Sequence, residues 1–242
     1  GMSTIACGVF AVYASFGKNA GYDNMAGHLL TASVMAAPVA LLMGKILLPE
    51  TETSPTAGGA TAEVKPETSN VLDALCQGAS DGMKLTINVL AMLIAFTAAV
   101  ALLNILIAQP QQWAGVATDK TITFQNLLGW LNAPFAFLMG ILWEDCTAVG
   151  QVLGERIVLN EFMGFKALTN PEVTALAHDR SFYITTYAIC GFANFASIAI
   201  QIGGIGSLAP ERRKDLAKFG LRAMAGGILV SYINACVAGL FI

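Results

Sequence analysis

Glu161 is the residue of this sequence best suited to binding chemistry. It lies in Asn160-Glu161-Phe162, within a long and otherwise apolar part of the chain. A charge at membrane depth costs about 2.5–3.5 kcal/mol on insertion scales, so such residues usually face a cavity, a partner or a substrate. A carboxylate in that setting can accept hydrogen bonds from ligand hydroxyls. The alternatives are pairing with a cation such as Arg156, or a position at an aqueous rim.

A second polar segment, GFANFAS at residues 191–197, lies in another uncharged run. Small or polar residues recur there at steps of three or four, which predicts one face of an α-helix. The members of this face are Thr186, Cys190, Asn194, Ser197 and Gln201. Together with Glu161 they predict an intramembrane site for a small polar solute. Packing between membrane helices is the alternative, because small and polar residues also favour it.

The sequence contains no pattern typical of an enzyme or a resident metal. His28 and His178 are the only histidines, and neither a Ser/His/Asp set nor a zinc spacing is present. Gly203-Gly204-Ile205-Gly206 is not followed by the Lys-Ser/Thr of a phosphate-binding loop. We therefore expect no enzymatic activity and no cofactor. The five cysteines are scattered, as buried apolar residues would be: Cys7, Cys76, Cys146, Cys190 and Cys236.

The composition is that of an integral membrane protein. Of the 242 residues 55% are hydrophobic and 12% are charged, whereas soluble domains carry about 25% charged residues. The formal net charge of −3 argues against a nucleic-acid partner. The lipid bilayer is therefore the expected surrounding, in a plasma membrane or a bacterial inner membrane, with several passes.

Long apolar runs set the predicted helices. A spanning helix needs about 20 apolar residues, and the runs at 25–44, 85–108, 183–205 and 221–242 qualify. The first run, residues 1–17, is short and contains Gly8, which predicts a broken half-helix. The predicted fold class is an all-α integral membrane protein with discontinuous helices.

Residues 144–170 are predicted to form a re-entrant helical hairpin. Trp143-Glu144-Asp145 has the acidic first turn of a helix start. Gln151, Glu155 and Arg156 make the segment too polar to face lipid, and it is too short to cross twice. Non-helical backbone at membrane depth needs protein or water around it. We therefore place the tip of the hairpin near Asn160-Glu161, inside the protein.

These elements divide the chain into six segments. They are a broken helix and a span over 1–48, a cytoplasmic loop over 49–69, an interfacial helix and a span over 70–108, a loop and an interfacial apolar helix over 109–143, the hairpin over 144–170, and two spans joined by a basic loop over 181–242.

The placement of basic residues predicts the orientation. Arginine and lysine cluster between the last two predicted spans, within residues 212–222. The positive-inside rule places this segment in the cytoplasm. The C-terminus is then expected outside.

Several motifs resemble the C-terminal part of the concentrative nucleoside transporter family. They follow the family's order along almost the whole chain, and together they are specific. They are MSTIACGVF at 2–10, TASVMAAP at 31–38, PETE at 49–52, ERIVLNEF at 155–162, YAICGFANF at 187–195, and IQIGGIG with APERR within 200–213.

The resemblance implies a cation-coupled nucleoside symporter that works by alternating access. By that resemblance Glu161 binds the ribose, and the coupling ion is Na⁺ or H⁺. Residues 84–108 are implied to belong to a scaffold that contacts the other copies of a homotrimer. The other implied substrate contacts are Phe192, Asn194, Ser197 and Val9, with Thr4 and Ile5 beside the coupling cation.

The resemblance also implies spans and a first re-entrant hairpin upstream, with a Gly-Gln-Thr-Glu-type motif that these 242 residues do not contain. We therefore expect the chain to correspond to the C-terminal portion of such a transporter. The alternative is a structural or assembly fragment that does not transport by itself.

Overall fold

The computed structural model describes residues 1–51, 53, 68–117 and 121–242, except for the side chains of 207 and 208. Within these residues the structure is all-helical, which confirms the predicted fold class. Most of the predicted loop at 49–69 lies outside the described residues. The helices are α1 (Cys7–Asn19), α2 (Met25–Leu47), α3 (Val71–Trp113), α4 (Phe124–Leu138), α5 (Trp143–Val158), α6 (Glu161–Leu168), α7 (Asp179–Ile189), α8 (Phe195–Leu208) and α9 (Arg213–Gly239).

Three helices of the described chain are long and apolar enough to cross a membrane. They are α2, α3 and the segment Pro210–Gly239, in which a 3₁₀ turn over Pro210–Arg212 precedes α9. Residues 183–205, which we predicted as a fourth span, do not form one helix. That prediction is wrong, because α7 ends at Ile189 and α8 begins at Phe195.

The break between α7 and α8 is built by an asparagine cap. Asn194 has an extended backbone, with φ −143°, and its Oδ1 accepts a hydrogen bond from the Ser197 amide at 2.8 Å. The Ser197 hydroxyl in turn accepts from the Asn194 amide at 3.1 Å, which completes a capping box. Such a cap starts a new helix by satisfying amides that have no intrahelical partner. The predicted face from Thr186 to Gln201 therefore belongs to two helices.

Helix α3 is continuous over 43 residues, or about 65 Å at 1.5 Å per residue. We predicted an interfacial helix and a separate span that ended at 108, but the structure joins them and continues to Trp113. The interior glycines, Gly78 and Gly82, weaken a helix without ending it. Pro110 lies in the last turn of α3, beyond the predicted end at 108 and before the observed end at Trp113.

The main core lies where α1, α2, α5, α6, α7 and α9 meet. Its members with no exposed surface include Tyr13, Leu29, Val149, Phe165 and Ile184. Helix α6 folds back along α5 so that Gly164 packs on Arg156, where an added Cβ would lie 3.1 Å from the arginine Cβ. This core surrounds the α5–α6 hairpin and carries its tip.

Glycine permits the close packing of α4 on α5. A Cβ added at Gly154 would lie 2.5 Å from the Gln125 carbonyl oxygen and 2.7 Å from the Gly129 amide nitrogen. Gly150 has the same relation to Gly129, whose carbonyl oxygen would lie 2.5 Å away. Backbone atoms cannot yield as side-chain ends can, so any side chain would force the two helices apart.

We expect Gly154→Ala to destabilise the protein by about 1–3 kcal/mol, the usual range for overpacking. The measurement is the thermal midpoint of the detergent-solubilised protein. Gly44→Ala is the matched control, since among the described residues a Cβ added at this helical position of α2 meets no atom within 4 Å apart from its own helix backbone. Equal midpoints for the two variants would contradict the assigned packing.

Candidate functional site

The carboxylate of Glu161 lies at the first residue of α6 and is only 5% exposed. The Tyr13 hydroxyl donates to its Oε1 at 3.3 Å, and the Asn194 side-chain amide donates to its Oε2 at 3.3 Å. Among the described residues it forms no ion pair, so the alternative of a direct pair with Arg156 is not realised. The buried charge is therefore held by neutral donors from α1 and from the α7–α8 break.

Two helix N-termini meet at this carboxylate. Helix α6 begins at Glu161 itself, after the Asn160 cap whose Oδ1 accepts from the Met163 amide at 3.0 Å. Helix α8 begins after Asn194, the residue that contacts Glu161. The N-terminal end of a helix carries about half a positive charge. Both helices therefore favour a negative charge at this point without a paired cation.

Asn194 and Ser197 form one buried unit, with exposures of 1% and 0%. The Ser197 hydroxyl donates to the Asn194 carbonyl at 2.6 Å, in addition to its bond with the Asn194 amide. Serine thus shapes the cap, and the cap leaves the asparagine amide free to face Glu161. Hydrogen bonds consequently bring together three of the residues singled out from the sequence.

Tyr13 is a site residue that the sequence analysis missed. It is fully buried, and its ring stacks on Phe165 with centroids 4.4 Å apart. A tyrosine in an apolar run is indistinguishable from a core aromatic residue by composition. The available signal was its position four residues after Val9, which places both on one face of α1.

The predicted cation residues lie in the non-helical segment 1–6, before α1. Thr4 is half-buried and its hydroxyl donates to the Ser33 hydroxyl on α2 at 3.0 Å, while Ile5 is buried. This segment lies beside the α7–α8 break, since a Cβ added at Gly191 would lie 3.4 Å from the Ser3 carbonyl oxygen. Two stretches of irregular backbone therefore run side by side near the carboxylate.

Val9 and Phe192 are both half-buried. Val9 lies in the first turn of α1 and packs against the main core. Phe192 lies within the α7–α8 break. Neither is joined to Glu161 by a hydrogen bond, because neither side chain has a polar atom.

Arg156 is the second residue that the sequence analysis undervalued. The sequence offered it only as a possible ion-pair partner of Glu161, yet its side chain has no exposed surface. Its guanidinium donates to the Gly191 carbonyl and to the Ser231 hydroxyl on α9. The positive charge of Arg156 therefore lies inside the protein, where it is hydrogen-bonded to protein groups.

The arrangement is suited to binding a polar solute. In the described part of the chain each carboxylate oxygen of Glu161 accepts one hydrogen bond from another residue, and a carboxylate oxygen has room to accept a further hydrogen bond from a hydroxyl. Irregular backbone beside it supplies carbonyl oxygens, the ligand type preferred by hard cations.

Comparison with known proteins points to transporters. A sequence profile described as "Na+ dependent nucleoside transporter C-terminus" matches residues 28–239. The chain is 38% identical to the mouse protein "Sodium/nucleoside cotransporter 1" over 99% of its own length and 38% of that protein. It is 39% identical to the uncharacterized transporter YutK of Bacillus subtilis, over 89% of its own length and 52% of that protein.

Solved structures of CNTnw have the same fold. An outward-facing double variant aligns with the whole chain at TM-score 0.81 and 35% identity. The inward-facing, substrate-bound state aligns at TM-score 0.74 and 36% identity. The chain covers 56% and 55% of these two structures, and between about a third and a half of the sequence relatives.

Proposed function

Because this chain belongs to the Na⁺-dependent nucleoside transporter family, we propose that it forms the C-terminal part of a symporter that moves a nucleoside together with Na⁺. The observation that supports this most directly is the buried Glu161 carboxylate, held by Tyr13 and Asn194 where α6 and α8 begin. A nucleoside is neutral and presents adjacent ribose hydroxyls, which are hydrogen-bond donors for such a group.

In this proposal the ribose hydroxyls donate to Glu161. Hydrogen bonds to an ionised acceptor are about twice as strong as neutral ones, so one carboxylate can orient the sugar. Asn194 and Tyr13 keep the carboxylate in place. Ser197 maintains the cap, and Phe192 and Val9 supply apolar surface. No covalent bond is made or broken, in keeping with relatives that are transporters.

The coupling ion would bind in the segment 1–6. Thr4 offers a hydroxyl, and the backbone at Thr4 and Ile5 offers carbonyl oxygens, next to the α7–α8 break that carries Asn194. An ion that orders this segment would also favour the arrangement that binds the nucleoside. Coupling of two ligands requires such a shared conformational state, and the effect is reciprocal.

Helix α3 would form the stationary part during alternating access. It packs against α8 and α4, whereas only 6% of its most apolar stretch is buried within the chain. We propose that this surface contacts the other copies of a homotrimer and the lipid. The hairpin and the broken helices would move past it as a unit, and carry the bound nucleoside across.

Uptake into proteoliposomes tests the proposal. The whole protein should accumulate radiolabelled uridine or adenosine when an inward Na⁺ gradient is imposed, and a Na⁺ ionophore should abolish the accumulation. Accumulation driven only by a pH gradient would identify H⁺ as the coupling ion instead. The proposed function would be overturned if the protein neither took up nor bound any nucleoside specifically.

The orientation of α9 gives a separate prediction. We propose that residues 212–222 are cytoplasmic and that Ile242 is outside. In a background without the exposed Cys7, Cys76 and Cys236, Arg213→Cys should resist a membrane-impermeant maleimide applied to intact cells. Ile242→Cys, exposed at the other end of α9, should react. The reverse labelling pattern would invert the topology.

A further inference from the structure

Arg156 places a positive charge in the interior without a carboxylate in contact. It is 0% exposed, and no ion pair of the described residues includes it. Its Nη1 has no hydrogen-bond partner within the described part of the chain. Burying a charge in this way is costly unless its surroundings compensate. The groups around the guanidinium must therefore stabilise its charge, and their positions indicate the role of the arginine.

Its hydrogen bonds tie together three elements. From α5, Nε and Nη2 donate to the Gly191 carbonyl at 3.3 and 3.1 Å. Nη2 also donates to the Ser231 hydroxyl on α9 at 3.1 Å. Ser231 in turn donates to the Gly227 carbonyl at 3.1 Å. One side chain thus links the hairpin, the α7–α8 break and the last helix.

The tie allows little movement, because the space around it is filled. A Cβ at Gly191 would lie 2.8 Å from Nη2 of Arg156. One at Gly227 would lie 2.9 Å from both the Ala193 Cβ and the Met2 carbonyl oxygen. Two glycines therefore let α9 and the guanidinium approach the break closely, and the position of the break is set by this contact.

The polarity of the helices contributes to stabilising the buried charge. Gly191 follows the C-terminal end of α7, where unpaired carbonyls carry about half a negative charge. The arginine is bound at that negative end. Across the same break, Glu161 is bound at the positive end of α8. The hairpin therefore presents opposite charges, five residues apart, to the two sides of one interruption.

We propose that Arg156 is a positioning residue: by fixing the α7–α8 break, it keeps the Asn194 amide against Glu161 in the geometry that binds substrate. This inference rests on the proposed function for its transport readout. The geometry itself predicts that loosening the arginine loosens residues 190–194. Ligand affinity should then fall although Arg156 does not touch the ligand.

Variants of the whole protein can separate positioning from mere stability. Arg156→Met keeps the bulk and removes the charge and donors, whereas Arg156→Lys keeps the charge on a single donor nitrogen. We expect at least a tenfold rise in the nucleoside KM for the methionine variant and partial rescue by lysine. Ser231→Ala removes the bond from Nη2 to α9 and the serine's own bond to the Gly227 carbonyl, but it leaves both bonds to Gly191, so it should change KM less than threefold. A lower thermal midpoint with an unchanged KM would overturn the proposal.

A double-mutant cycle sharpens the test. If Arg156 acts through Asn194, combining Arg156→Lys with Asn194→Ala should change KM no more than Asn194→Ala alone does. Additive changes would mean that the arginine acts independently, which contradicts the inference.

Amide hydrogen exchange supplies a readout that needs no nucleoside. Exchange over residues 190–194 should accelerate in Arg156→Lys, and far less in Ser231→Ala. Unchanged amide exchange over residues 190–194 would contradict the positioning role, even if nucleoside transport were intact. Faster exchange in a protein that binds no nucleoside would instead retain the positioning role and reject the proposed function.

Discussion

Replacing Glu161 by glutamine is expected to weaken nucleoside binding about tenfold to a hundredfold and to leave the protein folded. Hydrogen bonds to charged groups contribute about 1.5–3 kcal/mol, and 1.4 kcal/mol corresponds to a factor of ten. Glutamine keeps the size of the side chain but turns one acceptor oxygen into a donor. That amide would face either the Tyr13 hydroxyl or the Asn194 amide, both of which donate to the native carboxylate.

Calorimetric titration of the detergent-solubilised protein with uridine or adenosine measures this effect. Glu172→Gln is the matched control, because it makes the same chemical change at an exposed residue outside the helices. The control should bind like the unmodified protein, and both variants should keep their thermal midpoints within a few degrees. An unchanged affinity in Glu161→Gln would rule out the carboxylate as a ligand contact.

Substitutions of Asn194 should have the second large effect, and they separate two roles of one side chain. Alanine removes the cap of α8, which costs about 0.5–2 kcal/mol of stability, and also the donor to Glu161. Serine is as good a cap as asparagine but cannot donate to the carboxylate from the same place. Asn194→Ser should therefore keep most of the stability, while both variants lose about tenfold or more in affinity.

Thermal midpoints and nucleoside titrations of the two variants give the comparison. Asn160→Ser is the parallel change at the neighbouring cap, since Asn160 caps α6 through the same kind of bond. It should retain the cap with a smaller loss of affinity, because the side chain of Asn160 does not donate to Glu161 in the structure. If serine at 194 preserved affinity as well as stability, the contact with Glu161 would not contribute to binding.

The sequence singled out residues that the structure brings together, but it did not predict every element that carries them. A carboxylate in an apolar stretch is rare, so Glu161 was identifiable without any structure. Asn194 and Ser197 were also found, but on a helix that the structure shows to be broken. Their spacing of three residues fits a helix face and a capping box equally well, and only the extended backbone of Asn194 distinguishes the two.

Tyr13 and Arg156 show where sequence reasoning ends. Each forms its hydrogen bond with a residue far away in the sequence. Tyr13 donates to Glu161, more than a hundred positions away, and Arg156 donates to Gly191, more than thirty positions away. Periodicity describes neighbours on one helix and carries no information about such distant contacts. The buried arginine also contradicts the usual preference of charges for solvent; here its hydrogen bonds to Gly191 and Ser231 replace part of the lost hydration.

The length of α3 links this protein to the thickness of its bilayer. Held upright, the apolar section 85–108 would extend about 36 Å, whereas the hydrocarbon core is about 30 Å thick. The helix must tilt, or the surrounding lipid must thicken, at a cost of a fraction of a kcal/mol per ångström. Since α3 packs directly on α8, a change in its tilt would alter the surface against which the helix that begins at the site packs. We therefore expect the lipid chain length to influence the site from outside the protein.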